Sequence, residues 1–312
     1  MQTFYQPLYG YGEFKELQDA VKKKKLPVQV TGCIDSQKCH LIFAASQEVK
    51  KRLIITYNDL RAKEIYEDCK LYDRETYLYP AKDVIFFSAD IRGNAIVGER
   101  IRILRRLMEG EPITVVATID GGMDKVLPLD YLKENCIRIR SADTVNISEL
   151  EAKLVQMGYE RQIQVEVAGE FAVRGGIIDI FPLTEEAPVR VELWGDEVDS
   201  IRSFDSASQR SIENLEEIRI YPASEFVLEQ AVKEKGLAAL EAELKEFASK
   251  LRAERKNEEA ARIGKAVAEF KENLEYCQGS VGLDSYVNYF FTKTVSFFDY
   301  FCDGESAIFL DE

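Results

Sequence analysis

Phe171-Ala-Val-Arg-Gly-Gly-Ile-Ile-Asp-Ile-Phe-Pro182 and Pro188-Val-Arg-Val-Glu-Leu-Trp194 decide the fold at the centre of this chain. Side chains alternate across a strand with a period of two. In the second stretch Val189, Val191 and Leu193 therefore share one face, and Arg190, Glu192 and Trp194 share the other. The apolar set belongs to a core, which leaves the single tryptophan of the chain on the polar face beside an arginine. In the first stretch Phe171 and Val173 point one way and Arg174 the other. Arg174-Gly175-Gly176 lets the chain turn sharply, because glycine tolerates positive φ. Asp179 sits among apolar neighbours, a setting that suits a structural pair with a nearby arginine.

Working outward, a helix around Ser148–Met157 precedes strands at Gln162–Val167, Glu170–Val173, Gly176–Phe181, Val189–Trp194 and Val198–Phe204. Hairpin spacing and alternation predict an antiparallel α+β domain over residues 126–213. Residues 1–125 read differently. Apolar runs at Pro27–Thr31, Arg52–Thr56, Asp83–Phe87 and Ile113–Ala117 alternate with helices near Asp59–Leu71 and Val97–Met108. Continuous apolar strands separated by helices predict a parallel sheet covered on both faces. Residues 214–312 form the third part. Residues 228–276 lack proline and are rich in Ala, Glu, Leu and Lys, which predicts long helices. An aromatic stretch, Tyr286–Phe301, then leads to the apolar strand Ala307–Leu310, an ending that suggests a piece of something longer.

With 312 residues, 46% hydrophobic and 31% charged, the chain predicts a folded protein of two or three domains. It has no apolar run of ~18 residues and no signal peptide at its N-terminus, so a cytoplasmic location and no membrane partner are expected. The net charge of −14 repels a phosphate backbone and argues against nucleic-acid binding by this piece alone. The Lys22–Lys25 run is either a small basic patch for DNA or a solvated helix end. Cys33, Cys39, Cys69, Cys136, Cys277 and Cys302 form no C-x-x-C pair, and the only histidine is His40, so no metal is expected. That lone histidine also rules out a Ser/His/Asp or Cys/His catalytic set.

Gly32-Cys-Ile-Asp-Ser-Gln37-Lys38-Cys39 has the spacing of a phosphate loop, G-x-x-x-x-G-K-[ST]. Such a loop works because glycine lets backbone N–H groups approach phosphates, lysine reaches the β/γ oxygens and a hydroxyl holds Mg²⁺. Here only Gly32 and Lys38 remain. Gln37 puts a side chain where close approach is needed, Cys39 is a poor ligand for a hard cation, and Asp35 brings negative charge. Asp311-Glu312 after the last strand is similar to the acidic half of such a site. The expectation is a degenerate, P-loop-type nucleotide fold that neither binds nor hydrolyses ATP.

Phe171–Pro182, Arg190–Arg202 and Phe204–Arg210 together resemble the signature of the bacterial transcription-repair coupling factors, with a looser likeness to the excision-repair protein UvrB. The likeness extends over nearly the whole chain, including Val30-Thr-Gly32 and Tyr221-Pro-Ala-Ser-Glu225. Within that pair, the broken phosphate loop favours the coupling factors. So does Ser88–Asn94, which leads directly into a helix with no room for UvrB's damage-binding hairpin. The resemblance implies a UvrB-like α/β architecture: a degenerate RecA-like domain split by the inserted α+β domain. It implies a non-catalytic module that recruits UvrA and so links stalled RNA polymerase to nucleotide excision repair. In that family, contacts to RNA polymerase and double-stranded DNA, and an ATP- and Mg-dependent translocase, belong to parts not present here. This piece would carry no cofactor. The family's UvrA-binding positions fall on Arg174, Arg190 and Trp194, the last a position usually held by a smaller aromatic. The resemblance also implies that this surface is covered in the resting full-length protein. On the strand pattern alone, a surface cation–π pair with a salt bridge to Glu192 stays open. Two other readings compete: a UvrB-like ATP-dependent helicase fragment, and a passive scaffold built on the helices of 228–276.

Overall fold

The structure is a computed structural model that describes residues 5–23, 25–82, 90–276 and 282–312, with only the backbone described at 90–94, 275 and 276. The expected strand Asp83–Phe87 lies outside the described residues, as do Lys24 and Cys277. Of Ser88–Asn94 only the helical backbone from Asp90 onward is described. The architecture is mixed α/β, with one parallel and one largely antiparallel sheet. Two compact units divide it: Met1–Ala81 with Glu109–Asp124 and Ser296–Glu312, and Lys82–Met108 with Lys125–Val295.

The first unit holds the helices α1 (Gly12–Lys22), α2 (Asp35–Ala45) and α3 (Asp59–Lys70). Its strands are β1 (Lys51–Thr56), β2 (Thr76–Tyr79), β3 (Ile113–Thr118) and a last strand, Ser306–Leu310. All four run parallel, in the order last strand, β1, β3, β2. β1 and β3 are buried almost end to end, as central strands covered on both faces must be. Phe43, Ala62, Ile65 and Cys69 of α2 and α3 pack with Ile54 and Val116. Asn58 caps α3 by accepting a hydrogen bond from the Arg61 N–H at 2.8 Å.

Pro27–Thr31 is not a strand, contrary to the sequence reading. Val28 and Val30 are exposed, and among the described residues no strand pairs with the segment, so its β propensity finds no ladder there. Lys22 ends α1 and Lys23 pairs with Asp19 at 3.1 Å, both exposed, so this part of the lysine run is a solvated helix end.

The second unit is built on a six-stranded sheet. Its strands are β5 (Glu160–Arg161), β6 (Glu170–Arg174), β7 (Ile177–Ile180), β8 (Val189–Trp194), β9 (Glu197–Phe204) and β10 (Ser211–Asn214). They lie side by side in chain order, antiparallel except for the parallel pair β5–β6. A separate ribbon pairs β4 (Ile137–Arg140) with β11 (Glu217–Ile220). Phe171, Ile178, Ile180, Val189, Val191, Val198 and Ile201 form the core face, joined by Leu150 and Leu154 of α5 (Ile147–Gln156). The expected strand Gln162–Val167 is absent. Glu170 turns that segment instead, its carboxylate accepting from the N–H groups of Glu166 and Val167 at 2.8 and 3.0 Å.

Helices complete the unit: α4 (Asp90–Glu109), α6 (Gln230–Ala253), α7 (Asn257–Tyr276) and α8 (Leu283–Phe290). The two long helices fall where the proline-free stretch predicts them. Near the exit from the sheet, Glu225 is fully buried between cations. Lys82 approaches it at 2.5 Å and Arg100 at 3.2 Å, and Lys82 also pairs with Asp284 at 2.6 Å. No helix among the described residues is long and apolar enough to cross a membrane.

Candidate functional site

Two tight turns set one end of the antiparallel sheet. Arg174 pairs with Ile177 across Gly175-Gly176, and Trp194 pairs with Glu197 across Gly195-Asp196. Gly175 and Gly195, the first residue of each turn, have φ of 61° and 64°, as primed hairpin turns require. Because Ile177 stands opposite Glu192, both turns lie at the same end of the sheet. Gly176 is held by contact: a Cβ there would lie 2.9 Å from the backbone oxygen of Leu193, while Leu193 N–H donates to Gly176 O at 2.8 Å. Gly176→Ala is therefore expected to cost about 1–3 kcal/mol, read as a lowered urea midpoint. An unchanged midpoint would show that the two strands can move apart freely.

On the face opposite the core, strand register brings Asp179 directly across from Arg190. Arg190 Nε donates to Asp179 Oδ1 at 2.6 Å, and its Nη2 donates to Oδ2 at 2.9 Å and to Gln209 Oε1 at 3.0 Å. Arg174 donates to the same carboxylate. Covered by two guanidinium groups, Asp179 is 1% exposed. The hydrogen bond to Asp179 raises the Arg190 pKa above its already high ordinary value. The Arg190 guanidinium also lies over the Phe204 ring at 4.5 Å.

The sequence-predicted trio divides by exposure. Trp194 is 86% exposed, and the side chain of Arg174 is 43% exposed against 15% for Arg190. Arg190 is thus largely committed to the sheet, while the indole and the half-exposed Arg174, though bonded to Asp179, reach solvent at its end. The open alternative of a salt bridge to Glu192 is not what forms. Arg190 takes Asp179, and Glu192 takes Arg202 and Ser200 Oγ, the latter at 3.0 Å. Arg202 and Arg190 face each other across β8 and β9, an unfavourable like-charge pair unless each has its own acid. Sequence reading foresaw an arginine for Asp179 but missed Phe204, Gln209 and Arg202 around it.

The degenerate phosphate loop belongs to the first unit. Gly32 has φ of 83°, and α2 starts at Asp35. Gln37 folds back, its Oε1 accepting from Ile34 N–H at 3.4 Å. Lys38 Nζ donates to Asp311 Oδ1 at 2.6 Å. Arg61 joins them, donating to Asp311 Oδ2 at 2.9 Å and to Asp35 Oδ1 at 2.8 Å. Burial works against the Asp311 carboxylate, but the hydrogen bonds from Arg61 and Lys38 outweigh it and hold its pKa below the usual range. Cys39 is buried, with its Sγ 3.5 Å from that of Cys69. Arg61 escaped the sequence reading, though a cation in the first turn of a helix opposes the helix dipole and signals an acidic partner. Among the described residues no group of three His, Cys, Asp or Glu side chains could hold a metal ion.

Residues 137–226 match the family described as the UvrB interaction domain, so the sheet that carries Arg174, Arg190 and Trp194 is a domain of that class. Over 303 residues, 96% of its length, the chain is 33% identical to the transcription-repair-coupling factor of Bacillus subtilis (strain 168). It is 35% identical over 235 residues, or 74% of its length, to that of Staphylococcus haemolyticus (strain JCSC1435). The chain belongs to the transcription-repair-coupling factor family. It spans 25% and 20% of the length of these two relatives.

Proposed function

We propose that this chain is the UvrA-recruiting, non-catalytic module of a transcription-repair-coupling factor, with Arg174, Arg190 and Trp194 at the contact. One observation carries the reading: an exposed indole and a half-exposed guanidinium stand together at one end of a rigid sheet, inside the UvrB interaction domain. Trp and Arg dominate binding hot spots because they combine a large buried area with directed hydrogen bonds. Arg190 acts from below, clamping Asp179 so that Arg174 is held in place. Co-elution of the chain with UvrA on gel filtration tests the reading. Failure to co-elute at micromolar concentrations would overturn it.

In this reading the first unit is the relic of a RecA-like nucleotide fold, UvrB-like in that the sheet domain is inserted between its segments along the chain. The Lys38–Asp311–Arg61 cluster supports the loss of nucleotide chemistry. Phosphate would have to displace a carboxylate already paired twice, and nothing at Cys39 replaces a Mg²⁺-binding hydroxyl. Calorimetric titration with ATP and Mg²⁺ is expected to give no heat of binding, and sub-millimolar binding would contradict it. RNA polymerase, double-stranded DNA and an ATP-driven translocase would be engaged by the remaining length of the full protein.

A further inference from the structure

We propose that the cleft beside Trp194 seats a basic side chain, an arginine above all, of the protein that docks on this sheet. The proposal rests on the UvrA-recruitment reading and names what the partner must present there. A cleft of about 320 Å³ is lined by Ser141, Ala142, Trp194, Glu197, Val198 and Asp199. It is built by backbone rather than by chance packing of side chains. Ala142 N–H donates to Val198 O at 2.9 Å, Val198 N–H to Asp143 O at 2.9 Å, and Val145 N–H to Asp196 O at 2.7 Å. These bonds tie the turn after β4 to the β8–β9 hairpin. They also hold Ala142 at φ of 66°, a left-handed conformation that a non-glycine residue adopts only when its surroundings impose it.

The chemistry of the walls selects the occupant. One wall is the exposed indole, whose electron-rich face attracts a cation. The only charged groups in the lining are the carboxylates of Glu197 and Asp199, both exposed and, among the described residues, without a cationic partner. That sets them apart from the acids of the neighbouring surface, since Asp179, Glu192 and Glu217 are each held by arginines. An anionic occupant would be repelled. An apolar one would leave two carboxylates stripped of water beside it. A guanidinium stacks on indole and forks onto a carboxylate at once, which a lysine ammonium does less well.

This assignment makes the end of the sheet two-signed. Arg174, on the adjacent turn, calls for an acid on the partner, and the Trp194 cleft calls for a base. Contacts of opposite sign side by side fix the orientation of docking and penalise a partner set down the wrong way round.

The test measures the affinity of the intact chain for UvrA at constant salt. Glu197→Gln with Asp199→Asn keeps shape and removes charge at exposed sites, and this double variant is expected to bind ten- to a hundredfold more weakly. Trp194→Leu is expected to weaken binding at least tenfold. Combined with the neutral pair, it should add clearly less than its separate factor, because all three groups hold one side chain. If Arg174→Glu weakens binding while the neutral pair leaves the affinity within twofold, the cleft assignment is overturned and recruitment stands. Fully multiplicative effects of Trp194→Leu and the neutral pair would also overturn it. If the unaltered chain does not bind UvrA, both readings fall.

Discussion

Replacing Glu225 by Gln will destabilise the second unit by about 3–5 kcal/mol, the range for breaking a buried ion pair from one side. Arg100 and Glu225 are both essentially inaccessible, and the Lys82 side chain is nearly so. Burial opposes the Glu225 carboxylate, but Arg100 and Lys82 more than compensate and depress its pKa to about 2. Removing the carboxylate takes from the buried guanidinium and ammonium the charge they share, while Asp284 still pairs with Lys82. The same shift gives a pH signature. A carboxylate whose folded pKa is depressed contributes stability that is fully present above its unfolded pKa, roughly 4.5, and is lost as pH falls through the folded value. The unaltered chain should therefore lose stability between about pH 4.5 and 2 through this group, and the variant should lack that component. Asp284 acts in the opposite sense. Its burial raises its pKa despite Lys82, so its contribution falls as pH rises. Urea unfolding from pH 7 down to 3 measures both effects. A difference under 1 kcal/mol at pH 7 would show that water reaches the cluster.

What the sequence disclosed follows from how local each feature is. The period of two in Val189–Trp194 is imposed by one buried and one open face, so it read correctly to the residue. The buried runs of β1 and β3 and the proline-free helices were legible for the same reason. Pro27–Thr31 and Gln162–Val167 carry the same β-branched residues, yet neither is a strand. Ile163 is 90% exposed, which shows that alternation without a partner strand has no core to turn toward. Ladder partners are chosen by distant chain, and that information is not local. At the phosphate loop both Lys38 and Asp311 stood out, 273 positions apart, but their direct bond, which Arg61 joins from the other carboxylate oxygen, depends on the parallel pairing of β1 with the last strand. Beneath Arg190, Phe204 and Gln209 lie across a register shift in β9 and on the loop beyond it, which no fixed spacing predicts.

Arg174→Glu will weaken UvrA binding by about 2–4 kcal/mol, roughly thirty- to a thousandfold, with little loss of fold stability. The two arginines on Asp179 make this separation possible. Arg174 makes a single hydrogen bond to Asp179 and keeps nearly half of its side chain in solvent. Arg190 holds Asp179 twice, reaches Gln209 and covers Phe204. If Arg174 is replaced, Arg190 still satisfies both oxygens of the buried carboxylate, and the new acid can turn toward solvent. What is lost is the guanidinium offered to the partner, and an acid there repels the group that met it. Arg190→Glu removes the main neutraliser of a nearly inaccessible carboxylate and sets a second acid beside it. That variant should therefore lose binding and several kcal/mol of stability together. Measuring affinity and urea midpoint for both variants distinguishes a contact residue from a supporting one. Should Arg174→Glu bind UvrA within twofold of the unaltered chain, the exposed end of this sheet is not where the partner docks.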